Sequence, residues 1–152
     1  MIHIEVSDSI DSGTIDETAL RQAAELVFQH ESVSKDSAVT VLITSDAQIR
    51  ALNRRYRGID APTDVLSFNV NISDPDDGMQ YLGDVVISLP TARAQAASNG
   101  NTITAELQLL VVHGLLHILG FDHAEHEEKA VMWHKQAEIL AGLGLGGISL
   151  PG

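Results

Sequence analysis

The chain has 152 residues, 44% of them hydrophobic, a formal net charge of −12 and no cysteine. That length suits one domain with an ordinary core, and the missing cysteines exclude disulfides, thiolate metal sites and cysteine nucleophiles. The acidic balance excludes a protein that grips nucleic acid through a broad basic surface. The opening MIHIEVSDSID carries neither a basic leader nor an apolar core for secretion, and the longest apolar run is too short to span a bilayer. A soluble, cytoplasmic protein is expected.

In chain order, residues 2–6 alternate as a half-buried strand, and Asp16 to Glu31 shows helical spacing through Leu20, Ala23, Ala24, Val27 and Phe28. A strand at 38–44 follows. Ser45 can cap the next helix, with Gln48 three positions on; Ile49, Leu52 and Tyr56 mark its inner face, and Gly58 stops it. Four of the nine basic residues, Arg50, Arg54, Arg55 and Arg57, crowd into this stretch. Cations at a helix end are favoured by the dipole, whereas Arg57 is expected beyond the helix. After the polar turn at 60–64 comes a strand at 65–70, then a loop rich in Asp, Pro and Gly at 73–78, and a fourth strand at 82–88. The remainder reads as a short helix after Pro90, an apolar helix from about 104 to 119 and a final helix from about 125 to 141. Gly142 to Gly152 reads as a frayed tail. The expected fold is α+β: a single domain, residues 1–152, with a four-stranded mixed sheet and about five helices, the apolar helix central because it must be buried on most sides.

That central helix carries the chemistry. In His113-Gly114-Leu115-Leu116-His117-Ile118-Leu119-Gly120-Phe121-Asp122-His123, the first two histidines lie one above the other on a helix face, about 6 Å apart along the axis. Gly120 lets the chain turn back through the left-handed region, which brings His123 to the same point. Three imidazoles with one position left open mark a catalytic rather than a structural zinc site. A fourth ligand such as His126 would close it, and nickel or copper would also bind such a donor set. His126 and His134 lie in a glutamate-rich segment and are expected at the surface. The HxxxHxxGxxH spacing is that of the metzincin zinc peptidases, but their general-base glutamate is replaced by Gly114. A peptidase reading loses its base. A glycine inside a helix costs roughly 1 kcal/mol relative to alanine, so close approach of a substrate or a packed neighbour is expected there.

With these residues located, the chain resembles the YbeY family of bacterial endoribonucleases over most of its length. HGLLHILGFDH matches one block of that family, Tyr56 to Phe68 (YRGIDAPTDVLSF) a second, and Leu82 to Ile87 (LGDVVI) a third, in the family's order. The resemblance implies a zinc-dependent, single-strand-specific endoribonuclease acting in 16S ribosomal RNA 3′-end maturation and ribosome quality control. It implies one Zn2+ held by His113, His117 and His123, a functional arginine at Arg57, and partners among the small ribosomal subunit, its proteins and a ribosome-assembly GTPase. In such a site zinc would act as a Lewis acid and Arg57 would hold the phosphate. Asp64, Thr63, Asp84 and Asp122 are candidates for orienting a ligand or capping a turn. Two rival readings remain: a zinc hydrolase of another bond, and a non-enzymatic, metal-stabilised ribosome-assembly factor.

Overall fold

The computed structural model describes residues 1–148. The elements are β1 (Ile2–Val6), α1 (Glu17–His30), β2 (Ser37–Thr44), α2 (Asp46–Arg57), β3 (Val65–Ser73), β4 (Gln80–Ser88), α3 (Leu89–Asn99), α4 (Ile103–Ile118) and α5 (His126–Gly142), with a short 3-10 turn at Ser12–Thr14. The fold class is the expected one, α+β with five helices and a four-stranded mixed sheet. The strand order is β1-β2-β4-β3. The first three strands in that order run parallel, and β3 is antiparallel to β4 and forms an edge.

The helices begin where short polar side chains cap them. Asp16, Ser45, Ser88 and Thr102 each accept a backbone N–H at the start of α1, α2, α3 and α4, which satisfies donors the helix leaves free. Helix α2 ends at Gly58, whose φ of +71° is the left-handed value that glycine tolerates. Arg57 is the last residue of that helix, not a residue beyond it. The segment following α5 also departs from expectation: Leu143, Leu145 and Ile148 pack against the core, and Leu145 N–H donates to Leu140 O at 2.8 Å. Residues 149–152 of the expected tail lie outside the described residues.

Two apolar clusters flank the sheet. On one face Val41, Ile43, Val85 and Ile87 join side chains of α1, α3, α4 and α5 in the main core; on the other, Leu66, Val86, Leu42 and Phe68 meet Ile49 and Leu52 of α2. Helix α4 runs through the main core, buried at nearly every position from Glu106 to Ile118. Its closest approach to the sheet is Gly114. A Cβ there would stand 2.6 Å from Val85 Cγ1 and 3.3 Å from Ser67 Oγ, and Ser67 and Val85 are cross-strand partners. Ser67 Oγ–H donates to Gly114 O at 3.0 Å. A packed neighbour is thus the reason for this glycine, and the same contact excludes a metzincin-like glutamate.

A candidate metal centre at the edge of the sheet

With α4 pressed against β3 and β4, His113 and His117 face the edge that β3 forms. The backbone leaves α4 through Leu119 and turns at Gly120, whose φ is +104°. His123 returns on the following loop. The ring centroids are 6.2 Å apart for His113 and His117, 5.4 Å for His113 and His123, and 5.7 Å for His117 and His123. The three rings therefore neighbour one another along one cleft, although they differ in exposure: His113 is buried, His117 half-buried and His123 exposed.

Each helical imidazole is held by a specific acceptor. His117 Nδ1 lies 2.8 Å from the carbonyl oxygen of Phe121. A carbonyl can only accept, so Nδ1 carries the hydrogen and Nε2 keeps a free lone pair. His113 Nδ1 lies 2.6 Å from Gln136 Oε1, on α5. Burial pushes the His113 pKa below its ordinary value, opposed by the Gln136 bond and aided by the neighbouring histidines, so the imidazole is neutral at pH 7. Neutral imidazole is the form that binds metal.

Asp122 adds a carboxylate. Its Oδ1 accepts the His123 backbone N–H at 2.7 Å, as expected of a turn-capping residue, and lies 3.9 Å from His117 Nε2. That backbone bond, more than the nearby histidines, holds its pKa below the usual carboxylate value. Among the described residues, donor atoms of His117, Asp122 and His123 fall within 4.8 Å of one another, a group that takes in Asp122 and not the expected His113. Nitrogen and oxygen donors at this spacing fit a divalent metal.

The cleft, of about 340 Å³, is lined by these histidines together with Arg57, Asn53, Ile59 and Trp133. Arg57 reaches past the sheet edge, where Nη2 donates to Ser67 O at 3.4 Å. It does not pair with Asp60 or Asp64. Asp60 is taken by Arg50, through Nε at 2.8 Å and Nη2 at 3.2 Å. Buried Asn53 donates to Ala61 O at 2.9 Å and fixes the turn that follows α2. Asp64 lines the cleft, its Oδ1 accepting the Val65 N–H at 2.8 Å, whereas Asp84 lies in a separate depression and bonds to Tyr81. His126 and His134 are exposed.

Trp133, Gln136 and Asn53 are site residues that the sequence reading missed. Trp133 sets its ring edge-on to His113 at 5.8 Å and to His123 at 5.5 Å. A signal for Gln136 did exist. It lies on the stripe Met132, Gln136, Ile139, Leu140, whose spacing marks the buried face of α5, and a lone amide in such a stripe needs a partner.

These features define a class: an α+β domain with a histidine-lined cleft, suited to a divalent metal and flanked by an arginine, at the open edge of a mixed sheet. A family model described as "Endoribonuclease YbeY" matches residues 3–144. The chain is 44% identical over 153 residues to an Endoribonuclease YbeY of Geobacillus kaustophilus, covering 95% of this chain and 97% of that one. It is 44% identical over 129 residues to one of Pelotomaculum thermopropionicum, covering 83% and 85%. A Thermotoga maritima protein solved in solution shares the fold with a TM-score of 0.59 and 26% identity, over 100% of this chain and 99% of that one. The chain belongs to the YbeY family.

Proposed function

We propose that the protein is a zinc-dependent endoribonuclease of single-stranded RNA, working in the cytoplasm as one domain over residues 1–152 and acting on 16S ribosomal RNA near its 3′ end. The observation that carries this reading is the convergence of three histidines and Arg57 on one cleft in a chain of this family. His113, His117 and His123 would hold one Zn2+, a donor set that suits zinc and leaves a position for substrate. When bound, the ion supplies Lewis acidity toward a phosphate oxygen or the attacking oxygen.

The chain's own residues supply the rest. Arg57 is exposed and uses one donor on Ser67 O, so other donors of its planar fork face the cleft and can hold a phosphate and the charge that grows on it. The Ser67 contact positions the guanidinium. Trp133 lines the same cleft and sets its ring edge-on to His113 and His123. No side chain at position 114 is available as a base, so deprotonation of water or of the RNA 2′-hydroxyl falls to groups around the open position. Because the surface is acidic, choice of substrate falls to partners on the small ribosomal subunit or to a ribosome-assembly GTPase.

Asp122 favours a second reading. Were it a fourth ligand, the site would be closed and structural, and the protein would assist ribosome assembly without cutting.

The test compares zinc-loaded protein with Arg57→Ala and His117→Ala on single-stranded ribosomal RNA, with thermal melts run alongside. The expected outcome is cleavage by the parent and a fall of ~10²–10³-fold in Arg57→Ala, with no cleavage by His117→Ala and both variants folded. Equal cleavage by all three would point to a contaminating nuclease. No cleavage by any, even with small subunits present, would move the assignment to the non-enzymatic reading.

A further inference from the structure

We propose that Gln136 is the positioning residue that makes His113 a metal ligand, by holding its imidazole with the hydrogen on Nδ1 and the lone pair on Nε2. The inference rests on the metal site proposed above and concerns how that site is set.

Gln136 is fully buried, on the α5 stripe with Met132, Ile139 and Leu140. Its Oε1 lies 2.6 Å from His113 Nδ1. Its Nε2 is buried with no hydrogen-bond partner among the described residues. Leaving an amide N–H unpaired in a core is destabilising, so packing alone would favour an apolar side chain here. The cost has a counterpart. An amide oxygen only accepts, so His113 Nδ1 must donate, and its Nε2 is left with the lone pair that a metal needs.

The opposite amide orientation shows what is at stake. An NH2 aimed at Nδ1 would make that nitrogen the acceptor, force the hydrogen onto Nε2 and block ligation. His117 faces no such choice, because its acceptor is the backbone carbonyl of Phe121, which cannot be reversed. The two helical imidazoles are thus aligned by one fixed acceptor and one reversible acceptor.

The test uses the full chain, with Zn2+ titrated against a competing chelator and read by the fluorescence of Trp133, the only tryptophan, whose ring lies 5.8 Å from His113 and 5.5 Å from His123. Gln136→Met keeps the volume and removes the acceptor, whereas Gln136→Glu keeps the acceptor and removes the unpaired N–H. The expected result is affinity ~10–100-fold weaker in Gln136→Met, with its metal-free melting temperature unchanged or raised, and affinity restored in Gln136→Glu. Wild-type affinity in Gln136→Met, or equal loss in both variants, would overturn the inference and leave the metal site intact. A His113→Ala variant that binds as tightly as the parent would instead remove the metal-site reading itself. An independent reading needs no variant: nitrogen-15 NMR of the metal-free protein should place the His113 hydrogen on Nδ1, and a hydrogen on Nε2 would also overturn the inference.

Discussion

Gly114 shows how a single missing side chain both shapes this site and separates it from the peptidases with the same histidine spacing. With Val85 Cγ1 only 2.6 Å from where a Cβ would be, Gly114→Ala gains roughly 1 kcal/mol of helix propensity and loses about 1–3 kcal/mol to overpacking. A net loss of up to ~2 kcal/mol is expected, a fall in melting temperature of up to ~8 °C for a chain of this size. A raised melting temperature would mean that α4 lifts from the sheet at no cost. The histidines could be placed beside one another from the sequence because spacing on a helix and across a glycine turn is local. Gln136 could not be paired with His113 in that way, since the two meet only after α5 docks beside α4, 23 residues on.

The regular elements were largely legible because caps and periodicity are local. Ser45, Gly58 and the apolar run of α4 lie at the ends or faces the sequence marks, and the observed bounds differ from expectation by at most three residues. Helix α2 runs one residue further than its spacing predicts, which places Arg57 on the helix, and the glycines of the last turn mask the packing of Leu143, Leu145 and Ile148. A tie that no local pattern marks joins α1 to α5. His30 donates through both ring nitrogens, to Glu31 at 2.6 Å and to Glu138 at 2.7 Å, while His134 and Lys135 approach Glu138 and Glu31.

The Glu138 and Glu31 bonds raise the His30 pKa above its ordinary 6.5, so its contribution is whole below that value and is lost as pH rises through the folded pKa. The His30 bond in turn holds Glu138 below its ordinary 4.5, a contribution present above 4.5 and lost as pH falls through the folded pKa. The tie is strongest between these two values. His30→Gln should therefore lose more stability in urea melts at about pH 5.5 than at about pH 8.5; a pH-independent loss would show that packing, not charge, joins the helices.

For the molecule as a whole, the net charge of −12 sets the terms on which an anionic substrate is met. Arg50 is occupied by Asp60, and Arg54, Arg55 and Arg57 are exposed at one corner. Three phosphate contacts to a single strand predict a log–log slope of affinity against salt of about −2. A slope several units steeper, measured with the His117→Ala variant and a short RNA, would mean a longer basic track than this corner provides.

The strand order carries one more consequence. Because β4 lies between β2 and β3, and the cleft takes Arg57 from one half of the chain and His113, His123 and Trp133 from the other, the site has no precursor in any N-terminal fragment. A polypeptide still emerging from the ribosome carries the arginine long before it carries the wall of the cleft. An endoribonuclease of this topology completes its cleft only once its last helix is free to dock.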